Sequence, residues 1–330
     1  MAAGVVLVVG ENGAGKTNLL ESLHVATQGF SPRTRSDAQL IRFGERAGRI
    51  AVRGRRSGSP VAVELTLRLQ EGKQALLNGA RLHSAEQLRR ELTTLVFTPD
   101  RLAVVKGGPA IRRAYVDRSL ARLAPARASV PAEYGAALAQ RNAALRRASL
   151  GLSSRDAVAP WTERVAALGS QLVAARVAAV AALQPAFAAR ADELGLPAAV
   201  IRYDADPPTA AALEQRLARD LERRATGLGP HLDDVSIASA DRDLRSFGSQ
   251  GEQRLAVLAL LLGEAEVLAE RGARPLLLLD DVLPELDERR RRTLADRVSA
   301  AGQTIITATS TGALPVEPAQ VVRVTPGEAR

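Results

Sequence analysis

An eight-residue segment near the start of the chain constrains the fold more than any other feature. It matches the pattern G-x-x-x-x-G-K-[ST] and consists of Gly10, Glu11, Asn12, Gly13, Ala14, Gly15, Lys16 and Thr17. The apolar run Val5–Val9 before it predicts a buried strand, and residues 17–26 after it predict a helix. In this context backbone N–H groups cradle phosphates, Lys16 neutralises the β and γ oxygens, and Thr17 can bind Mg²⁺. The segment therefore predicts an α/β fold that binds a nucleotide.

A second apolar run ends in two adjacent acids. Residues 276–279 are all leucine and predict another buried strand, and Asp280 and Asp281 follow it directly. This position places Asp280 beside the phosphate-binding loop at residues 10–17 (the phosphate loop or P-loop), where it can hold Mg²⁺ directly or through water. Asp281 is then placed to orient and deprotonate an attacking water, as the catalytic residue. Two acids at a strand end are also compatible with a solvated turn.

Between these two segments, Ser249, Gln250 and Gly251 open a predicted helix that runs to about Glu270. A serine, a flexible glycine and a helix N-terminus form a second anion-binding end, which a bound nucleotide can use on its γ-phosphate side. An ordinary helix cap has the same residue types. The sequence leaves both interpretations open.

Two other stretches of the chain differ from these segments in sequence pattern and composition. Residues 49–82 contain an alternation of apolar and polar residues and the hairpin signal Asn78-Gly79, which together predict an antiparallel β insert. Residues 110–195 are rich in Ala, Leu and Arg and predict several helices, one of them bent near Pro185. We therefore expect a nucleotide-binding α/β lobe in two parts and a helical lobe between them, with the boundaries 1–109, 110–224 and 225–330.

Composition excludes several classes of protein. With 46% apolar and 25% charged residues, the 330-residue chain has the composition of a folded protein. It has no cysteine, which excludes disulfides and thiolate catalysis, and its three histidines are scattered. Its best apolar stretch, residues 177–189, is bounded by Arg176 and Arg190 and is too short for a membrane helix, and no signal peptide is recognisable. We therefore expect a cytoplasmic protein with no membrane segment.

The net charge of +9 is unevenly distributed. Residues 31–60 and residues 112–147 each contain eight Arg and two acids, so each segment carries +6. Two basic segments are what a polyanion-binding surface requires, since affinity for nucleic acid comes largely from counterions released at phosphates. Charge alone leaves DNA binding undecided, because the composition favours Arg throughout and many such side chains only solvate helix faces.

Five blocks of sequence extend these motifs over nearly the whole chain, in order. They are GENGAGKTNLLES (10–22), FTPDRLAVVKGGPAIRRAYVD (97–117), TGLGPHLDD (226–234), SQGEQR (249–254) and LLLLDDVLPELD (276–287). The set resembles the RecF family of DNA replication and repair proteins, relatives of the SMC and ABC-type ATPases. The resemblance implies an ABC-type P-loop ATPase core with an antiparallel β subdomain and a helical second lobe.

The resemblance also assigns roles to residues. It implies that residues 10–17 bind the triphosphate of ATP, that Asp280 is the Walker B acid for Mg²⁺, and that Asp281 stands where ABC ATPases generally have the catalytic Glu. Ser249, Gln250 and Gly251 then match the signature that reaches ATP across a dimer.

Two further positions follow from the same resemblance. Residues 285–287 match the D-loop, which makes Asp287 an additional ATP-binding candidate. Residues 307–309 lie where ABC transporters keep the switch His.

The activity that the resemblance implies is ATP-dependent DNA binding. Family members favour gapped or junction DNA, hydrolyse ATP slowly, and work with RecR and RecO to load RecA. We therefore expect a homodimer that forms with ATP, a weak DNA-stimulated ATPase that acts as a dimerisation switch, and a role in DNA repair, replication and the SOS response to DNA damage. Binding of single-stranded DNA belongs to the same expectation, and the two basic segments are the candidate DNA-facing surfaces.

The chain departs from the family pattern in two places. Family members usually begin with about two more strands, whereas here Met1 stands only nine residues ahead of Gly10, so we expect that the first N-terminal strands are missing. Pro284 occupies the D-loop position where a Ser is more usual, which removes a hydroxyl and a backbone N–H.

Two other functions stay open at this point. A chain without the first strands can act as a DNA clamp that binds RecR but does not hydrolyse ATP. An ABC transporter ATPase subunit is the third possibility, which the missing switch His and the long helical lobe disfavour.

Overall fold

The computed structural model describes residues 1–34, 36–56 and 58–330, and for Arg90 it describes the backbone alone. Contacts within the chain form two compact units. The first consists of Met1–Arg101, Glu193–Gly195 and Leu268–Arg330, and the second consists of Leu102–Asp192 and Leu196–Val267.

The described residues form thirteen strands and eleven α-helices, joined by loops and short 3₁₀ turns. The strands are β1 (Val5–Val9), β2 (Ala47–Arg56), β3 (Ser59–Arg68), β4 (Gly72–Leu77), β5 (Ala80–Arg81), β6 (Thr94–Phe97), β7 (Val200–Arg202), β8 (Ser236–Ser239), β9 (Arg242–Asp243), β10 (Leu276–Leu279), β11 (Thr304–Ala308), β12 (Gln320–Thr325) and β13 (Glu328–Ala329). The helices are α1 (Lys16–Gln28), α2 (Ala85–Glu91), α3 (Ala103–Lys106), α4 (Pro109–Leu123), α5 (Val130–Ser149), α6 (Ala159–Glu193), α7 (Ala210–Gln215), α8 (Leu217–Arg223), α9 (Leu244–Phe247), α10 (Gln250–Glu270) and α11 (Glu288–Ala301).

A six-stranded sheet forms the centre of the first unit. Its order is β13-β12-β1-β11-β10-β6, and all neighbouring strands are parallel except β12 and β13. Every residue of β1 and β11 is buried, as expected of apolar strands covered on both faces. Val6, Val8, Leu278 and Ile305 pack with Leu20 of α1. Because parallel strands end at one edge of a sheet, the residues that follow β1, β10 and β11 are brought together there.

The predicted antiparallel insert is confirmed as a separate four-stranded sheet with the order β2-β3-β4-β5. Leu65 and Leu67 lie on the same face of β3, are buried, and pack with Val25 of α1. The predicted hairpin turn joins β4 and β5, where Asn78 and Gly79 have φ values of 50° and 83°. Positive φ at both central residues is typical of the type I′ turn that Asn-Gly favours.

Helices α4, α5 and α6 build the core of the second unit. Leu120 of α4, Tyr134 of α5, and Val165, Leu168 and Leu172 of α6 belong to one buried cluster. The helices that the Ala-, Leu- and Arg-rich composition of residues 110–195 predicts are confirmed.

The long helix α6 continues through Pro185, and the predicted bend there stays a prediction. The helical segment Arg155–Glu193 contains an 18-residue window with a mean hydropathy of 1.6, long and apolar enough to cross a membrane, but 56% of that window is buried inside the protein. Arg176 in the middle of α6 forms an ion pair with Asp117 of α4, at 2.8 Å between Nε and Oδ1. These contacts are those of a helix in the core of a folded unit.

The second unit contains a hairpin that the sequence does not predict. Strands β8 and β9 pair with each other, and β8 also pairs with β7. The turn residues Ala240 and Asp241 have φ values of 47° and 61°, but they lack the Asn-Gly or Asp-Gly signal of such turns. The structure also groups residues 225–267 with the helical unit. The division at 110 and 225, which follows the expected functions, stays a prediction.

Packing between β3 and α1 leads to a stability prediction. Leu65 is fully buried, whereas Leu69, just beyond the same strand, is 52% exposed. Leu65→Ala is expected to lower the free energy of unfolding by about 2–5 kcal/mol because it leaves a cavity. Leu69→Ala is the matched control, with an expected effect within about 0.5 kcal/mol. Denaturant unfolding measures both, and equal effects would contradict this packing.

Candidate nucleotide-binding site

The loop between β1 and α1 is shaped by its glycines. Gly13 and Gly15 have φ values of 82° and 105°, which other residues rarely adopt, and α1 begins directly after Gly15. Gly10 is required for a different reason, because a Cβ there would lie 2.4 Å from the carbonyl oxygen of Val324 on β12. The loop thus has the curled backbone that the motif predicts.

The Lys16 ammonium lies over this loop. Its Nζ donates to the carbonyl oxygens of Gly10 and Glu11, at 2.8 and 2.9 Å. Within the described first turn of α1 no residue is acidic, so the positive end of the helix is not opposed there. A phosphate in this loop is therefore attracted by three positive groups at once: the backbone N–H groups, the N-terminus of α1 and the Lys16 ammonium.

Asp280 is the centre of the hydrogen bonds at this edge of the sheet. Its backbone N–H donates to the carbonyl oxygen of Phe97 at the end of β6, at 2.9 Å, and the residue is only 5% exposed. The hydroxyl groups of Thr17 and Thr307 both donate to its Oδ1, at 3.2 and 2.9 Å. The predicted proximity of Asp280 to the phosphate loop is therefore present in the structure.

Thr307 also connects the two acids. Its Oγ1 accepts a hydrogen bond from the backbone N–H of Asp281, at 2.8 Å, while it donates to Asp280. Asp281 has a φ of 52° and an exposed side chain. The Thr307 hydroxyl thus holds the backbone of Asp281 in a left-handed conformation that aspartate tolerates. Sequence reasoning marked residues 307–309 by position alone and missed this contact.

The oxygen atoms around Asp280 fit a magnesium ion. The Thr17 hydroxyl and the Asp280 carboxylate lie within 3.2 Å of each other. Mg²⁺ prefers oxygen ligands, and in nucleotide sites one or two side chains hold it together with phosphates. Among the described residues no group of three or more His, Cys, Asp or Glu forms another candidate metal site.

Helix α10 begins with a capping box. The backbone N–H of Ser249 donates to Oε2 of Glu252 at 2.7 Å, and the backbone N–H of Glu252 donates to Oγ of Ser249 at 3.2 Å. The hydrogen bonds from the backbone and the hydroxyl of Ser249 lower the pKa of Glu252. The helix-cap interpretation is therefore confirmed. Anion binding stays compatible with it, because Gln250 and Gly251 are exposed at the start of the helix.

Asp287 caps the next helix, α11. Its Oδ1 accepts from the backbone N–H of Arg290 at 2.8 Å, and the Arg290 guanidinium lies 3.1 Å from its other carboxylate oxygen. Pro284 lies just before it in the 3₁₀ turn Leu283–Glu285. The proposed contact of Asp287 with ATP stays a prediction.

Comparison with known proteins decides the family. Residues 1–329 match the family model described as the RecF/RecN/SMC N terminal domain. The DNA replication and repair protein RecF of Heliobacterium modesticaldum is 36% identical over 323 residues, which are 93% of this chain and 86% of the relative. RecF of Symbiobacterium thermophilum is 37% identical over 326 residues, 93% of this chain and 85% of the relative. The chain belongs to the RecF family. The family expected from the motifs is confirmed.

Solved structures agree with this assignment. A structure of the recombination mediator protein RecF-ATP in the RecFOR pathway has a TM-score of 0.89 and 27% identity, and the match covers 100% of this chain and 92% of that one. The Smc head domain of Pyrococcus furiosus has a TM-score of 0.58 and 16% identity over 99% of this chain and 89% of that one, which shows a shared fold. The ABC-type ATPase fold with an additional antiparallel sheet and helices is confirmed.

In this RecF-family chain, cations of the second unit hold the block at residues 226–234. Arg112 forms a two-pronged ion pair with Asp234, at 2.8 Å from Nε and 2.6 Å from Nη2. Burial by itself would raise the pKa of Asp234, but the hydrogen bonds from Arg112 and from the backbone outweigh burial and lower it. The fully buried Arg141 donates to Asp220 and to the hydroxyl of Thr226, both at 2.8 Å. Ion pairs and charge-assisted hydrogen bonds therefore connect the block at residues 226–234 to α4 and α5.

The His231 ring is part of the same loop and has a defined tautomer. Its Nε2 lies 3.0 Å from the carbonyl oxygen of Thr226, which only accepts, so Nε2 carries the proton. Its Nδ1 then accepts from the hydroxyl of Tyr134, at 2.7 Å. Burial lowers the pKa of His231, and the hydrogen bond to Thr226 offsets part of that effect. The structure therefore favours a neutral ring.

The basic segment 112–147 keeps only part of its charge on the surface, and its role as a DNA-facing surface stays a prediction. Arg112 and Arg141 are buried in the ion pairs described above, and Arg122 pairs with the buried Glu264 at 2.6 Å. Three of its eight Arg are exposed, namely Arg127, Arg146 and Arg147. The number of Arg in a segment does not show which of them are buried in ion pairs and which are exposed, because burial depends on partners far away in the sequence.

The basic segment 31–60 keeps its charge on the surface. Seven of its Arg are exposed, and Arg35 lies outside the described residues; the exposed ones are Arg33, Arg42, Arg46, Arg49, Arg53, Arg55 and Arg56. Arg33, Arg49 and Arg56 pair with exposed or partly exposed glutamates. Arg42, Arg46, Arg53 and Arg55 form no salt bridge with any described acid. This segment remains a candidate contact for DNA.

The Thr307 bridge leads to a prediction about catalysis. Thr307→Val removes hydrogen bonds to both acids, so ATP hydrolysis is expected to fall by about 10- to 100-fold, while nucleotide binding by the intact P-loop is kept. Phosphate release and nucleotide titration measure the two effects. Thr311→Val, at an exposed position after the same strand, is the matched control. An unchanged rate in Thr307→Val would contradict the role of the bridge.

The pKa of His231 leads to a prediction about acid stability. Because the folded-state pKa is lowered, the unfolded chain binds the proton more readily, and the stability present above about pH 6.5 is lost as the pH falls below that value. The wild-type melting temperature is expected to drop between about pH 7.5 and pH 5.5 by more than that of His231→Gln. Replacing the exposed His83 by Gln is expected to leave the drop unchanged. Equal drops in wild type and His231→Gln would contradict the prediction.

Proposed function

We propose that this chain is an ATP-dependent DNA-binding protein of recombinational repair and replication restart, with slow ATP hydrolysis. Its membership of the RecF family of DNA replication and repair proteins is established above. The observation that carries the proposal is the arrangement of three side chains at one edge of the sheet. Lys16 contacts the loop at residues 10–17, and Thr17 donates a hydrogen bond to Asp280, in a fold that matches RecF-ATP with a TM-score of 0.89.

In the proposed mechanism residues 10–17 bind the triphosphate. Their backbone N–H groups and the N-terminus of α1 hold the phosphate oxygens, and the Lys16 ammonium moves from the carbonyl oxygens of the loop to the β and γ oxygens. Thr17 and Asp280 would hold Mg²⁺, and the ion would supply positive charge next to the phosphates. Asp281 orients the attacking water and accepts its proton as the catalytic base.

The second part of the site comes from another copy of the chain. Ser249, Gln250 and Gly251 of that copy bind the γ-phosphate side of the nucleotide, and Asp287 contacts the shared site. A capped helix N-terminus with exposed N–H groups supports this role. ATP then acts as a link between two chains, and slow hydrolysis, stimulated by DNA, releases them.

DNA is the proposed partner of the dimer, at junctions between single and double strands. The support is the exposed and largely unpaired charge of the segment 31–60. We further propose that RecR binds the complex, that RecO and RecA act in the same pathway during the response to DNA damage, and that the protein works in the cytoplasm.

DNA binding by two variants tests the proposal. Lys16→Arg is expected to abolish nucleotide-dependent binding to gapped DNA, because the compact ammonium is lost from the phosphate site. Asp281→Asn is expected to keep ATP and lock the dimer on DNA, since the base is removed but the ligands are not. Fluorescence anisotropy with gapped duplex DNA measures binding, and light scattering measures the dimer.

Each variant has a matched control. Lys73→Arg makes the same change at an exposed ion pair with Asp37, and Asp241→Asn makes the same change at an exposed aspartate with positive φ. Both controls are expected to behave as wild type. DNA binding by wild type that does not depend on ATP would contradict the proposal, and phosphate release at the wild-type rate by Asp281→Asn would contradict the role of that residue.

A further inference from the structure

A fully exposed phenylalanine stands in the middle of the basic segment 31–60. The chain has only five Phe residues, and Phe43 has a relative exposure of 104%. It lies in a turn in which the carbonyl oxygen of Arg42 accepts from the backbone N–H of Glu45, at 3.0 Å. Gly44, the third residue of the turn, has a φ of 88°, the conformation that glycine supplies there. The backbone therefore presents Phe43 at the tip of a defined turn.

The turn is fixed to the antiparallel sheet and surrounded by positive charge. The carbonyl oxygen of Arg46 accepts from the backbone N–H of Leu69, at 3.2 Å, where β2 and β3 begin to pair. Arg42 and Arg46 flank the aromatic residue, are exposed, and form no salt bridge with any described acid. Glu45 is the one acid in residues 38–63. The net charge of residues 38–63 is therefore positive, and within the described part of the chain no acid forms an ion pair with Arg42 or Arg46.

An isolated exposed apolar side chain is common and needs no explanation. The combination here is more specific, because a fully exposed aromatic ring lies on the same short segment as two exposed arginines, Arg42 and Arg46. Proteins bind single-stranded nucleic acid with aromatic rings that stack on bases and with cations that follow the backbone phosphates. The geometry of residues 42–46 supplies both of these in one turn.

We propose that Phe43 stacks on an unpaired base at the edge of a DNA gap, while Arg42 and Arg46 bind the phosphates on either side of it. The inference rests on the proposed function, since it assigns a residue to the recognition of DNA. A base inside a continuous duplex presents no free face, and opening a base step costs free energy. An unpaired base beside a duplex end has a free face already. Phe43 therefore gives a preference for gapped over continuous DNA without reading its sequence.

The experiment compares three DNA ligands in the presence of ATP: a gapped duplex, a continuous duplex of the same length, and a single strand. Phe43→Ala is expected to weaken binding of the gapped duplex and of the single strand by about 10-fold and to leave the continuous duplex within about 2-fold. Phe43→Trp is expected to keep the preference, because the larger ring also stacks. Leu152→Ala, at another exposed apolar residue, is the control and is expected to change nothing.

Two further measurements separate stacking from charge. A fluorescent adenine analogue at the first unpaired position is expected to be quenched by wild type and not by Phe43→Ala. The double change of Arg42 and Arg46 to Ala is expected to weaken all three ligands alike and to reduce the slope of log affinity against log salt by about 2.

The outcomes are distinguishable. If Phe43→Ala binds the gapped duplex as wild type does, or loses gapped and continuous duplex equally, the stacking role is wrong while the proposed function stands. If wild type binds none of the ligands with ATP, the proposed function fails and the inference fails with it. A selective loss that Phe43→Trp restores supports the inference.

Discussion

The carboxylate of Asp280 is the point on which the nucleotide site depends. It accepts hydrogen bonds from Thr17 of α1 and Thr307 of β11, and its own strand, β10, pairs with β11. These contacts require one register of the sheet, in which Leu279 lies beside Ile306 and Val8 beside Thr307. A slip by one residue would turn each side chain to the other face and separate the three groups. The chemistry is therefore a consequence of strand register.

Arginine has two physical roles in this chain. Inside the second unit, Arg112 and Arg141 form hydrogen-bonded ion pairs with aspartates and fix the block at residues 226–234. Loss of one partner from such a pair leaves an unpaired buried charge and destabilises the folded state, so these residues are needed for stability. On the surface of the first unit, Arg42 and Arg46 have no described acidic partner and are available to a polyanion. The same residue type thus forms buried ion pairs in one unit and stays exposed in the other.

Features that depend on neighbouring residues could be predicted from the sequence. The curled loop at residues 10–17, the turn at Asn78-Gly79 and the capping box at Ser249 are all determined within about ten residues. The family resemblance also predicted the ATPase fold, because its sequence blocks lie along nearly the whole chain and follow one another in the order found in the family. The predicted roles of Asp281, Asp287 and the signature residues remain predictions.

Features that depend on distant contacts could not be predicted. The bridge from Thr307 to Asp280 spans 27 residues, and the ion pair of Arg112 with Asp234 spans 122. No local pattern distinguishes a buried arginine from an exposed one, so the sequence does not show that Arg112 and Arg141 are buried while Arg146 and Arg147 are exposed. The hairpin of β8 and β9 was missed because Ala240 and Asp241 adopt positive φ without the usual turn residues.

In the proposed dimer each ATP lies between the P-loop of one chain and the signature of another. Mixing two inactive variants, Lys16→Ala and Gly251→Asp, distinguishes this arrangement from a site within one chain, because a mixed dimer then contains one intact composite site. Phosphate release is measured for each variant alone and for the mixture. We expect that neither variant alone hydrolyses ATP and that the mixture recovers part of the wild-type rate. A mixture as inactive as its components, although mixed dimers form, would contradict it.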